Sequence, residues 1–171
     1  VFVNGSNFID GNNGLAIGYF IIIFLSILYL NLSKDIGYDL SVLIFFLILL
    51  AILLIFNLKN KLYLGDSGIY ILSIYSSLLL INFTQSNEEI SPYFIVNLLW
   101  YPSFEILFSF IRKIIFKFSP MKPDNLHLHQ LIFYLYNTKL NLDNSQRNSF
   151  VGISINFYNL MIICLALNNV S

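Results

Sequence analysis

The chain has 171 residues, 57% of them hydrophobic and only 11% charged, and its mean hydropathy is +0.75; a water-soluble core of this size cannot hide so much apolar surface. Nine basic and nine acidic residues cancel, which removes the global positive field that nucleic-acid binding would draw on. The single cysteine, Cys164, sits in an apolar run and excludes an internal disulfide framework or a cysteine metal cluster.

The chain opens at Val1 without an initiator Met, a basic n-region or a cleavage site, and an N-terminal truncation is expected. Val1 to Ala16, V-F-V-N-G-S-N-F-I-D-G-N-N-G-L-A, places Asn, Asp and Gly residues immediately before a long apolar run. Asn4, Asn7, Asp10 and Asn13 recur every three residues, close enough to one helical turn for one face or a tight cap to gather their oxygens. Gly5, Gly11 and Gly14 let the backbone bend closely around a ligand. Such residues are also ordinary in loops and helix caps, so this stretch alone leaves both readings open.

Five apolar runs approach the roughly 20 residues a spanning helix needs: about 15–32, 40–56, 69–83, 93–110 and 149–167. The third would span only about 22 Å and is expected to begin earlier, near Ser67, or to run on towards Ser86. The expected fold class is all-α, a polytopic helical membrane protein forming one membrane domain over 1–171. Alternating sides put 1–14, 57–68 and 111–148 on one face. Lys59, Lys61, Arg112, Lys113, Lys117, Lys122, Lys139 and Arg147 lie on that face and only Lys34 on the other, so the first face is expected to be cytoplasmic. Asp35, Asp39, Glu88 and Glu89 lie in the plain connecting loops opposite.

Glu105 is the one formal charge within a predicted span, and a charge at membrane depth reads as functional or paired. Arg112 follows seven residues later on nearly the same helical face; about 10 Å of axial rise favours a loose electrostatic relation over a salt bridge. Alternatively Glu105 faces a protein interior, with Ser109 or a neighbouring helix as partner.

The second loop of the basic face contains K-L-Y-L-G-D-S-G, residues 61–68, with Asp66 between glycines at the mouth of the third span. Helix amides behind it can face an anion, and magnesium held by one or two carboxylates plus substrate phosphates fits this economy of ligands. An N-cap role for Asp66 is the alternative. The third loop, F-S-P-M-K-P-D-N-L-H-L-H-Q, residues 118–130, holds both histidines, His127 and His129. On a helix they would diverge by about 200°, whereas an extended segment puts them on one face. Imidazoles donating to phosphate oxygens, or holding the loop together, fit better than zinc. Three polar loops on one membrane face point to a phosphate-rich substrate, and the membrane to a lipid one.

The motifs N-x-x-N-x-x-D-G-x-N-G-L-A at Asn4 to Ala16, L-G-D-S-G at Leu64 to Gly68 and S-P-x-x-P-D-x-x-H-L-H at Ser119 to His129 resemble the polyprenyl-phosphate N-acetylhexosamine-1-phosphate transferase family. The P-D-x-x-H-L-H pattern is similar to its bacterial undecaprenyl-phosphate N-acetylglucosamine-1-phosphate branch. The resemblance implies transfer of a sugar 1-phosphate, GlcNAc-1-phosphate in this branch, from a UDP-sugar to undecaprenyl phosphate. UMP is released, and Mg2+, or Mn2+ in its place, is required. It implies a first membrane step of cell-wall or lipopolysaccharide synthesis in the bacterial inner membrane, and leaves homodimer formation open. It places Asp66 and Asn7 as metal ligands, and Asp10, Asp66, His127 and His129 as catalytic. Asn4, Asn7, Asn13 and Arg112 become substrate-binding residues, with Arg112 on pyrophosphate. Asn13 departs from the Asp usual in bacterial relatives and stands near uracil; Gln130 replaces the third histidine of H-x-H-H. The family's paired aspartates lie upstream of Val1, so this fragment, the C-terminal half of a longer transferase, is expected to be inactive alone. The competing expectations are an inactive relative or scaffold and a transporter; a transporter would place binding groups in broken helices, whereas Pro102 is the only proline in a predicted span and no clear central break is evident.

Overall fold

The computed structural model describes residues 2–34, 36–37, 39–117 and 126–167. Val1, Asp35, Lys122 and the S-P-x-x-P-D part of the third motif, residues 119–124, lie outside the described residues. Among the described residues there are eight helices and no strand: α1 (Phe2–Phe8), α2 (Leu15–Lys34), α3 (Leu40–Leu58), α4 (Gly65–Gln85), α5 (Pro92–Leu98), α6 (Trp100–Ile115), α7 (Leu128–Lys139) and α8 (Asn144–Leu167). Four of them, α2, α3, α4 and α8, are long and apolar enough to cross a membrane, and α5 with α6 makes a fifth candidate span bent by 64°. The chain is a polytopic helical membrane protein. The short third run gains length at both ends, so that α4 reaches 21 residues.

The fourth span departs from the expectation of an unbroken helix. Its break falls at Leu99, between α5 and α6, and Pro102 explains it. Proline has no N–H to return to the carbonyl four residues earlier, which frees the carbonyl of Leu98; the Tyr19 hydroxyl of α2 donates to that oxygen instead. Pro102 itself lies in the first turn of α6, where the missing N–H removes the bond that would join α6 to α5 and none within α6.

α2 is the central helix, burying Leu15, Tyr19, Phe20, Ile23, Phe24 and Ile27 and packing against α3, α4 and α8. α3 lies at the edge and exposes Phe45, Ile48, Ile52 and Ile55, as a helix bathed in lipid can. α6 is built the opposite way round to a soluble helix: Tyr101, Glu105, Ser109 and Arg112 form its buried stripe, while Leu107, Phe110, Ile111 and Ile114 are exposed. The spacing of three and four residues puts the polar groups on one face.

α1 packs against both α4 and α6. At the α6 crossing the two backbones nearly touch, since a Cβ added to Gly5 would stand 2.5 Å from the Pro102 carbonyl oxygen. The described parts of the motif-bearing segments gather at one end of the bundle. At the opposite end Lys34 meets Glu89 at 3.8 Å, so the loops group as alternating spans require.

A methyl group at Gly5 must push α1 away from α6. Gly5→Ala is expected to destabilise the detergent-solubilised protein by about 1–3 kcal/mol, read as a lower midpoint of thermal unfolding; an unchanged midpoint would show that α1 can shift freely.

Candidate functional site

The loop between α1 and α2 carries the second half of the first motif, and side-chain amides pin it to two distant segments. Asn13 Nδ2 donates to Asn60 Oδ1 and lies 3.5 Å from Ser149 Oγ. Asn60 Nδ2 donates to Ser145 Oγ, and Asn12 Nδ2 to Asn148 Oδ1. The Gly14 N–H donates to Asn57 Oδ1 at 2.5 Å, while Asn57 Nδ2 donates to the Leu62 carbonyl at 2.8 Å. From α8, Asn156 Nδ2 donates to the carbonyls of Gly14 and Leu15 at 2.9 and 3.0 Å. Gly14 takes a φ of 75°, which residues with a Cβ adopt only under strain. These bonds satisfy the backbone of a tight buried turn.

The regular spacing of Asn4, Asn7, Asp10 and Asn13 does not continue as one face, because α1 stops at Phe8. Asn4 is exposed, Asn7 and Asp10 are half-buried, and Asn13 is turned inward at 2% exposure. The Asn13 amide is therefore engaged with Asn60.

Asp66 stands at the second position of α4. The N-cap there is Leu64, so the alternative of an N-capping Asp66 does not hold; the carboxylate is exposed to solvent. It acts on Asp10 instead. Burial, and then the charge of Asp66, push the Asp10 carboxyl up to about 6. The carboxylates of the first and second motifs thus lie within each other's field, although 56 positions separate them in sequence.

The histidines are organised around Glu105, which is fully buried. Its Oε1 accepts from the Tyr101 hydroxyl at 3.0 Å and stands 3.4 Å from His129 Nδ1. Its Oε2 accepts from the Leu128 N–H at 3.3 Å and stands 3.4 Å from His127 Nδ1. Glu105 does face the protein interior, and its partners there include the histidine segment. His127 is the extended N-cap of α7, with ψ 156°, and His129 lies in its first turn. That change of backbone lets both rings point one way, stacked at 5.6 Å with their planes within 2°. Phe8, at the end of α1, stacks on His127 at 5.0 Å, and His129 Nε2 lies against Gly11, where a Cβ would strike it.

Arg112 is buried, donates to the Leu126 carbonyl and holds its guanidinium 5.1 Å above Phe108. It secures the backbone that leads into His127. Gln130 does similar local work: its Oε1 accepts from the His127 N–H at 3.0 Å, closing the first turn of α7. Beside the histidines a cleft of about 550 Å3 is lined by Gly11, Asn12, Gln130, Phe133, Asn144 and Asn148.

Sequence reasoning did not single out Asn57, Asn60, Asn148 or Asn156, nor Glu105 as the partner of the histidines. The signal present was the concentration of asparagines flanking the second motif and opening α8. Among the described residues no three His, Cys, Asp or Glu side chains form a group able to hold a metal. Asp10 and Asp66 form a hard-oxygen pair whose mutual repulsion a divalent cation would relieve.

Residues 1–84 match the family model described as Glycosyl transferase family 4. Over 131 residues the chain is 30% identical to the undecaprenyl-phosphate alpha-N-acetylglucosaminyl 1-phosphate transferase of Thermotoga maritima, a match covering 75% of this chain and 38% of that relative. The chain thus spans well under half the length of the curated relative it matches. No solved structure matches it significantly.

A carboxyl raised in the folded state favours folding while protonated, so its contribution is present below pH 3.8 and is lost as pH rises through about 6. In the presence of a chelator, the stability of the parent relative to Asp10→Asn is expected to fall by about 1–2 kcal/mol across that window, after discounting for partial solvent screening. Parallel unfolding midpoints for the two proteins from pH 4 to 7 would contradict it.

Proposed function

The chain belongs to glycosyl transferase family 4, and from that membership we propose that the protein moves an N-acetylhexosamine 1-phosphate, GlcNAc-1-phosphate in particular, from a UDP-sugar to undecaprenyl phosphate. In this reaction an oxygen of the lipid phosphate forms a bond to the sugar-bearing phosphorus of the donor, the pyrophosphate P–O bond breaks, and UMP leaves. The observation that carries the proposal is the meeting of three remote segments at the end of α1: Asp10, Asp66 and the His127–His129 pair.

Each segment has work to do in such a transfer. The reacting phosphates bring several negative charges into one place, and lowering the barrier means spreading that charge over fixed donors and cations. Asp66 and Asn7, with Asp10 beside them, would hold Mg2+, which would offset pyrophosphate charge and help align the reacting oxygens. The imidazoles would donate to phosphate oxygens from the opposite side. Arg112 keeps their loop in place and carries positive charge at its root, and Asn4 lies at the open edge of α1. The amide-lined cleft beside His129 offers donor and acceptor edges and the Phe133 face to the uridine or sugar. Asn13 would act there through the turn that it anchors.

The apolar outer face of α6 keeps this end of the bundle against lipid, where a polyprenyl phosphate presents its head group. By the excess of Lys and Arg on the motif-bearing loops, that end faces the cytoplasm and the protein resides in the bacterial inner membrane. The product feeds synthesis of a cell-envelope polysaccharide.

Asp66→Asn in the full-length protein is expected to lower UMP release from UDP-GlcNAc at least 100-fold while membrane insertion and the unfolding midpoint stay at the parent's values. A rate near the parent's would overturn Asp66 as a metal ligand. Absence of UMP release from the full-length parent with every UDP-HexNAc offered would overturn the transfer itself.

A further inference from the structure

We propose that Glu105 is the positioning residue of the histidine pair, one buried carboxylate that holds Nδ1 of both His127 and His129 and so fixes which ring nitrogen each presents to the phosphates. The inference rests on the transferase function proposed above.

The geometry is symmetric. Oε1 serves Tyr101 and His129, Oε2 serves the Leu128 N–H and His127, so the four lone-pair positions of a carboxylate each face one partner. Both Nδ1 atoms are buried without a hydrogen bond of their own and stand 3.4 Å from a Glu105 oxygen, a separation that small ring movements would close to hydrogen bonds. An Nδ1–H turned to Glu105 leaves Nε2 as the outward nitrogen, a proton acceptor in the neutral ring and a donor to phosphate oxygen once the ring is doubly protonated. For His129 that nitrogen lies against Gly11, beside Asp10 in the first motif, on the side where the phosphates would be.

A purely structural duty would need less. Capping the α7 amide at Leu128 takes one oxygen, and a neutral amide would serve equally well. Holding two Nδ1–H donors takes two acceptors of one sign, which only the carboxylate supplies. Glutamine has the same shape but turns one acceptor into a donor, so it can keep one histidine and must expel the other or drive it into the opposite tautomer. Placing the carboxylate on the third helical position after Pro102, beneath α1, gives one group access to both rings.

The test uses the full-length protein and the Glu105→Gln substitution. Its kcat for UMP release is expected to fall 10-fold or more, with KM for the UDP-sugar within twofold of the parent. In a protein already carrying His127→Ala and His129→Ala, the same substitution is expected to cost less than twofold, because its effect passes through the rings. A kcat within twofold of the parent, or an equal loss without the histidines, would overturn the proposal. Solid-state 15N NMR of histidine-labelled protein reads the tautomers without activity, the single His→Ala variants assigning the signals. Both rings of the parent are expected to be protonated at Nδ1, and one to switch in Glu105→Gln. Parent rings protonated only at Nε2 would sink the idea even if Glu105→Gln failed to fold. If the parent released no UMP, the transferase function would fail while the NMR result still judged Glu105.

Discussion

A carboxylate carried into the end of an apolar helix bundle forfeits its hydration, and unless protein donors replace that hydration the cost runs to several kcal/mol. Glu105 is fully buried and has donors facing both of its oxygens. The conformation of the whole histidine segment follows from this requirement. Tyr101 reaches it from one helical turn earlier, the first amide of α7 reaches it from across the loop, and the two imidazoles close the remaining sides. Removing any one of these donors leaves part of a buried charge unmatched, so the cluster is a mutually dependent set rather than a series of separate contacts.

Glu105 stands where it does because the span before it is broken. Pro102 withholds one hydrogen bond, Tyr19 covers the carbonyl left behind, and α6 leaves the line of α5 by 64°. The polar stripe of α6 then runs beneath α1, and Gly5 lets the two backbones meet. α1 in turn sets Phe8 against His127 and Gly11 against His129. A single missing N–H is thereby linked, through two helix crossings, to the placing of the first motif over the third.

The long apolar helices were legible because lipid acts as a solvent with a fixed thickness, so that a run of about 20 apolar residues reports itself without any tertiary information. Runs such as 40–56 carried that signal undiluted, whereas 69–83 lost its ends to Gly65, Asp66 and the polar residues near Gln85, although these remain helical. The grouping of loops followed from alternation alone. The break at Leu99 was hidden because proline at the start of a helix and proline in its middle look the same in sequence; only the angle between α5 and α6 tells them apart. The partners of Glu105 were hidden for another reason. His127 and His129 lie 22 and 24 positions away, and the expectation of an electrostatic relation to Arg112 relied on helical neighbours, the only ones that periodicity can see. The asparagine bonds from Asn12 and Asn13 to Asn148 and Asn60 span longer distances still.

Polar groups at this end of the bundle fall into two sorts. The amides of Asn12, Asn13, Asn57, Asn60 and Asn156 bond to one another or to backbone, and they lock the turn between α1 and α2 with no help from outside the chain. Asp10 and Asp66 do the reverse: one is pushed towards protonation by burial and by the other's charge. The amides that hold the turn find partners, whereas the two carboxylates lie in each other's field. A divalent cation between Asp10 and Asp66 would relieve that conflict without disturbing the amide-locked turn beside it. The cost of ordering the turn beside them is met when the chain folds.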